Sequence, residues 1–305
     1  MSFTTRFAPS PTGSLHLGHA FSALLAHDMA RAEGGTFLLR IEDIDRQRSK
    51  PEWEAQIYDD LRWLGVDWDG PVMRQSDRLP AYEAALDALW QRDLLFPCTC
   101  TRRDIIAAAS APQEGGDPVF GPDGVVYPGT CRTPKREPFS MQSRPSGVAL
   151  RLNMRLAVMA ASEAVTDTPE GVRSIVRFVE TGRGPNGETG VIETDSRWLE
   201  TRVGDVVLSR RDFPGSYHLS VVLDDAAQGI THVVRGADLF DATRIHVVLQ
   251  RLLGVPRPIY HHHRLIRDAA GKRLAKRDDA RAIALFRRDG ASPNDIRRIV
   301  GLPLR

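Results

Sequence analysis

The chain reads as an α/β protein: a parallel sheet of the doubly wound type with helices on its faces, an inserted subdomain, and a short helical C-terminal segment. Three observations predict this. Strand-like and helix-like segments alternate over residues 1–95, and the alternation resumes at Thr201. Between them, Cys98 to about Pro145 turns to Gly, Pro and Asp, too poor in periodic apolar residues to form a packed layer. At 305 residues the chain is long enough for a sizeable core and two compact units.

The opening element is the best defined. A short apolar strand leads through Arg6-Phe7-Ala8-Pro9-Ser10-Pro11-Thr12-Gly13 to His16-Leu17-Gly18-His19. From Ala20 to Glu33, Phe21, Leu24, Leu25 and Met29 recur at helical spacing, and Gly34-Gly35 ends the run. Thr36–Ile41 is the second strand. A tryptophan-rich helix and turn, Trp53–Asp69, and a helix Pro80–Arg92 complete the first half. Val148–Leu152 is strand-like, whereas Thr181–Ser196 is polar and glycine-rich and reads as a long excursion or mobile loop. The second half then runs strand Asp205–Leu208, helix Tyr217–Gln228, strand Thr231–Val234 and helix Asp241–Leu253. No internal repeat is present. The expected organisation is 1–97 and 201–260 as the two halves of the catalytic sheet, 98–200 as the insert, and 261–305 as a basic loop with C-terminal helices.

Composition narrows the class. Hydrophobic residues make up 42% and charged residues 26%, as in soluble globular proteins. Met1–Arg6 lacks an apolar signal core and no apolar run spans a bilayer, so a cytoplasmic protein without membrane contact is expected. Three cysteines, two separated by one residue, exclude a disulfide framework. The net charge is only +2, yet from Arg264 onward twelve Lys or Arg face five Asp, which suits phosphate or an RNA backbone.

The chemistry starts at His16-Leu17-Gly18-His19. A helix N-terminus offers free N–H groups and the positive end of the helix, so anions collect there, and Gly18 lets a nucleotide approach without a Cβ in the way. Imidazoles at that place can steady charge on a phosphorus undergoing substitution. Arg40-Ile41-Glu42-Asp43-Ile44-Asp45 puts carboxylates at a strand exit, where one can hold an ammonium group. Cys98, Cys100 and Cys131 flank the Gly/Pro-rich stretch, where a metal can replace a missing core, with Tyr127 as candidate for the fourth ligand. The glycine-started loop Gly271–Arg277 carries lysines able to neutralise a triphosphate. His261-His262-His263 is assigned no metal, because neighbours on a strand point to opposite faces.

Taken together, Arg6–His19, Arg40–Asp45, His232–Asp238 and the basic loop at Lys276 resemble class I glutamyl-tRNA synthetases over all of the chain except about residues 155–200. Only 28 residues follow Arg277, where a full member carries a large anticodon-binding region, so the chain is similar to the shortened glutamyl-queuosine tRNA(Asp) synthetases. The resemblance implies a Rossmann-like catalytic domain with no anticodon-binding domain. It implies glutamate contacts at Arg6, Ala8, Ser10, Glu42, Tyr217 and Arg235, ATP contacts at His16, Gly18, His19 and Lys276, and catalysis by His16, His19 and Lys276. It also supplies one structural Zn2+ on Cys98, Cys100, Tyr127 and Cys131, and Mg2+ with ATP. The implied reaction activates L-glutamate as an adenylate and passes it to queuosine in tRNA(Asp), in an enzyme expected to be a monomer. Ala275 and Arg273 depart from the family's usual serine and lysine. The rival readings are a catalytic fragment charging a tRNA 3′ end, a small-molecule nucleotidyltransferase, and a non-catalytic zinc-bearing RNA-binding module.

Overall fold

The computed structural model describes residues 2–110, 118–132, 142–169, 171–267 and 282–305. It opens with β1 (Thr4–Phe7), α1 (Leu17–Ala32) and β2 (Thr36–Ile41), the two strands parallel from Thr4↔Thr36 to Phe7↔Leu39. Alternation on β2 explains the layering. Phe37, Leu39 and Ile41 share one face and are fully buried against the small residues Ala20, Ala23, Ala26 and Ala30 of α1. Each such apolar side chain contributes roughly 1.5–3 kcal/mol. Leu38 and Arg40 therefore turn to the opposite layer.

α2 (Pro51–Trp63) adds Ile57 and Leu61 to the first layer. β3 (Met73–Arg74) pairs in parallel with β2, and α3 (Leu79–Trp90) joins the opposite layer. The chain continues with β4 (Leu95–Cys98), α4 (Arg102–Ala109) and the two-residue strands β5 (Phe120–Gly121) and β6 (Gly124–Val125). Next come β7 (Ala149–Leu152), α5 (Met154–Ala161), β8 (Ala164–Thr168), β9 (Gly171–Glu180) and β10 (Gly190–Asp195), of which β8–β10 join the sheet of the second half, where β9 pairs the last strand at Glu180↔Tyr260, rather than a separate insert. The short turn α6 (Ser196–Trp198) and β11 (Val207–Ser209) follow. β11 joins β7, which also pairs β4, in a small antiparallel sheet.

α7 (Tyr217–Ala227), β12 (His232–Gly236), α8 (Phe240–Leu253) and β13 (Ile259–His263) restore the α/β alternation. Thr231 donates its N–H to the Thr4 carbonyl at 2.9 Å, so β12 runs beside β1, and β12 and β13 pair in parallel. α9 (Ile283–Arg288) and α10 (Pro293–Val300) bury Ile283 and Ile296 in the α1 layer.

One expectation is corrected. The stretch 181–196 is no simple excursion: Gly190–Asp195 forms β10, antiparallel to β9 from Gly190↔Glu180 to Asp195↔Ile175. Buried Ile192 and Thr194 alternate with exposed Val191 and Glu193, a two-residue period hidden by polar composition. In the C-terminal segment several described arginines are paired. Arg297 is buried against Asp28, Arg305 also reaches Asp28, Arg287 pairs Asp59, and Arg298 pairs Asp295. Among the described residues no helix is long and apolar enough to cross a membrane.

Candidate active site

A cavity of about 550 Å³ opens where β1, β2 and β12 end and α1 begins. Open parallel sheets place ligands at such carboxyl ends. Arg6 and Ala8 line it from β1 and the turn after it, Glu42 from the end of β2, Tyr217 from α7 and Arg235 from β12. His16, Gly18 and His19 line its α1 side. Ser10 is not in its lining, and Lys276 lies outside the described residues. The described residues on either side of 268–281 meet this region: Leu265 and Ile266 line the cavity, and Ala282 bridges to His16.

The histidine turn is a reciprocal cap. His16 is the extended N-cap; its Nδ1 accepts from the Gly18 N–H at 3.1 Å, while His19 Nδ1 accepts from the His16 N–H at 3.2 Å. The ring centroids lie 3.8 Å apart with the planes tilted by 31°. With both Nδ1 atoms accepting, a neutral ring carries its proton on Nε2. The glycine also eases the cap: a Cβ at Gly18 would sit 3.0 Å from His16 Cε1, crowding the folded-back ring.

The two cavity arginines differ in their partners. Arg6 forms a two-pronged pair with Asp225, Nε to Oδ1 at 2.8 Å and Nη2 to Oδ2 at 3.3 Å. Asp225 also accepts from fully buried Arg40 at 2.6 Å, and Arg40 reaches Glu42 at 3.3 Å. Burial opposes ionisation of Asp225, but Arg6 and Arg40 outweigh it and hold its carboxyl below the usual range. For Glu42 burial prevails over Arg40 and Arg6 and raises the value.

Arg235 is buried without a carboxylate in ion-pair reach among the described residues. Its Nε donates to His262 Nε2 at 3.2 Å, Nη1 to His246 Nδ1 at 3.3 Å, and Nη2 to Thr243 Oγ1 at 2.5 Å and the Leu239 carbonyl at 3.4 Å. Burial pushes His262 down to about 4, and burial together with Arg235 puts His246 well below its ordinary value, so both are neutral acceptors at pH 7. A buried guanidinium among neutral rings favours an incoming anion.

Away from the cavity, the sulfurs of Cys98, Cys100 and Cys131 lie within 4.8 Å of one another. Tyr127 Oη stands 3.6 Å from Cys98 Sγ and 3.7 Å from Cys100 Sγ, and accepts from the Cys131 N–H at 2.6 Å. Burial opposes the Cys131 thiolate, yet hydrogen bonding from Tyr127 wins and lowers the thiol to about 6; burial raises Cys100 to about 11. Arg151 lies 4.0 Å over the Tyr127 ring, a cation where a phenolate would carry charge. Three thiols and one phenol oxygen thus converge, a donor set able to hold a metal ion.

The model of tRNA synthetases class I (E and Q), catalytic domain, matches residues 2–116 and 146–302. The curated Glutamyl-Q tRNA(Asp) synthetase of Rhodobacter capsulatus is 63% identical over 98% of this chain and 99% of its own length. The chain belongs to this family of class I synthetases. A second relative of the same name, from Nocardia farcinica, is 42% identical over 98% of this chain and 85% of its own. A glutamate tRNA ligase from Elizabethkingia meningosepticum, solved with its amino acid, superposes with TM-score 0.74 at 25% identity, covering 98% of this chain and 60% of the ligase. The chain therefore spans about three fifths of that ligase. The glutamate-tRNA synthetase of Elizabethkingia anophelis shares the fold, with TM-score 0.75, at 24% identity and 61% coverage of its length. The family match runs unbroken through 155–200, the stretch expected to fall outside the resemblance, and leaves out 117–145 instead.

Asp225 and Arg40, buried behind the cavity and holding its Arg6 and Glu42, were missed by sequence reasoning. A signal existed for the first: Tyr217, Val221 and Asp225 are four apart and share one face of α7. Ser22, three residues beyond His19, also lines the cavity and meets His263 Nε2 at 2.8 Å.

Proposed function

We propose that this protein activates L-glutamate with ATP as glutamyl-adenylate and transfers the glutamyl group to queuosine in tRNA(Asp). The observation that carries the reading is one cavity bounded by a buried guanidinium without a carboxylate partner, Arg235, by Glu42, and by the His16/His19 helix start. The names of the relatives, at up to 63% identity over nearly the whole chain, support the acceptor.

In this reading Arg235 receives the substrate's side-chain carboxylate and Glu42 its ammonium group. Arg6, held by Asp225, keeps the floor positive beside the α-carboxylate, and Tyr217 borders the same space. The α-carboxylate oxygen attacks the α-phosphorus of ATP; the bond to the bridging oxygen breaks and pyrophosphate leaves with its electron pair. The Nε2–H groups of His16 and His19 and the start of α1 offer donors for the charge that grows on phosphate oxygens. Positioning of this kind supplies roughly 7–11 kcal/mol. Mg2+ bound with ATP neutralises phosphate charge. The Cys98, Cys100, Tyr127, Cys131 set takes zinc, a borderline-soft ion suited to thiolates, and orders the insert rather than the reacting atoms.

Glutamine would leave the Arg235 guanidinium without an anion, so discrimination against it needs no editing. The test is glutamate-dependent ATP–pyrophosphate exchange, followed by transfer to tRNA(Asp) with and without queuosine. Exchange plus transfer only to the queuosine-bearing tRNA is expected. Transfer to both tRNAs, or to a tRNA 3′ end, would overturn the acceptor assignment.

A further inference from the structure

Glu180 closes β9 and is buried like the apolar core, with 1% exposure. Its Oε1 accepts from the backbone N–H groups of Gly182, at 2.7 Å, and His262, at 2.9 Å, and its Oε2 meets His262 Nδ1 at 2.5 Å. The chain around it is clamped to β13. Thr181 and Arg183 donate to the Tyr260 and His262 carbonyls, and a Cβ on Gly182 would lie 2.2 Å from the His262 oxygen. Among the described residues no Lys or Arg lies within ion-pair reach of this carboxylate, and the His262 ring stands between it and Arg235.

The direction of every bond in this chain follows from one fact. Arginine only donates, so His262 Nε2 must accept from Arg235 Nε, which puts the ring's proton on Nδ1, facing Glu180. The same logic orders the other side of Arg235. His246 Nδ1 accepts from Nη1, so His246 Nε2 donates to His218 Nδ1 at 3.2 Å, leaving His218 Nε2–H toward Asp123 at 3.5 Å. With Thr243 and Leu239 on Nη2, four of the five guanidinium hydrogens are committed to the protein and one on Nη1 remains.

We propose that Glu180 is a positioning residue for this site: through His262 it fixes the imidazole tautomer that holds Arg235, and so sets the selection of a carboxylate-bearing side chain. The inference rests on Arg235 as the partner of the substrate's side-chain carboxylate. Placing the counter-charge one imidazole away keeps Arg235 buried and oriented without neutralising it by direct contact. A carboxylate touching Arg235 would compete with the substrate's own.

The test is Glu180→Gln, which preserves volume. Its amide oxygen can take the two backbone N–H bonds, leaving the NH2 group facing His262 Nδ1. That geometry favours the other tautomer, in which His262 Nε2–H opposes Arg235 Nε–H. In ¹⁵N-histidine NMR the His262 proton is expected on Nδ1 in the parent and on Nε2 in the variant. In pyrophosphate exchange the KM for glutamate is expected to rise about 10- to 100-fold, the scale of losing a hydrogen bond to a charged group. The KM for ATP should stay within about two-fold, and the preference for glutamate over glutamine should fall with the glutamate KM. A general structural defect would move both KM values and the melting temperature together.

If Glu180→Gln does not fold, His262→Gln and His262→Leu decide. The amide of the first can donate to Glu180 and accept from Arg235, so it should retain glutamate affinity that the second loses. An unchanged tautomer with unchanged glutamate KM, or equal affinities in the two His262 variants, overturns the proposal. A parent without glutamate-dependent exchange would instead overturn the adenylation reading, and the tautomer comparison would still decide the Glu180 relay.

Discussion

Asp225→Asn removes the charge that two buried guanidiniums share. Arg6 and Arg40 have side-chain exposures of 6% and 0%, and Asp225 contacts them at 2.8 and 2.6 Å. After the change Glu42, 3.3 Å from Arg40, is the remaining described carboxylate within ion-pair reach of either. Asparagine keeps one acceptor, but its NH2 group faces a guanidinium donor. Breaking a buried pair by removing one partner costs about 3–5 kcal/mol. With an unfolding entropy of about 2.1 cal/mol/K per residue over the whole chain, the melting temperature should fall by roughly 5–8 °C. The pH dependence has a definite sign. Because Asp225 titrates below its ordinary value in the folded protein, its stabilisation is complete at pH 7 and is lost as pH falls through the folded value. The gap between parent and variant should therefore narrow from about pH 5 downward. Scanning calorimetry at several pH values measures both. A variant as stable as the parent at pH 7, or a gap that does not change with acid, would refute the charge-sharing argument.

His19→Ala should slow adenylation by about 10²–10³-fold, the scale of losing one preorganised donor, with the helix cap costing only about 1 kcal/mol of stability. An unchanged exchange rate would remove His19 from the reaction. His262 titrates at about 4 in the fold instead of its ordinary 6.5, so the unfolded chain binds its proton first. Roughly 3 kcal/mol of stability should be lost between pH 6.5 and 4, read from urea midpoints, and a His262→Gln protein should lack that part of the slope. Cys131→Ser should lower zinc content below that of the parent by elemental analysis; equal stoichiometry would take Cys131 out of the metal set.

The site was legible wherever its signal was local. His16 and His19 at a helix start and the carboxylates around Glu42 at a strand exit were marked locally, Arg6, Tyr217 and Arg235 came from the family resemblance, and one cavity collects all six. The strand β10 was misread because its buried Ile192 and Thr194 lie within a polar, glycine-rich run. Which of the tail's arginines is buried in an ion pair was not legible, because counting charges does not show that Arg297 is spent on Asp28.

The alternation of strands and helices over most of the chain and the histidine turn at a helix start were determined by the sequence alone, since each depends on neighbours a few residues apart. Only the tertiary structure decided how the cavity is wired. Asp225 meets Arg6 across 219 positions and Arg40 across 185, and Glu180 meets His262 across 82. Such pairs depend on which faces of packed layers come together, and in a buried, low-dielectric interior that meeting decides which charge is balanced and which is left for a ligand.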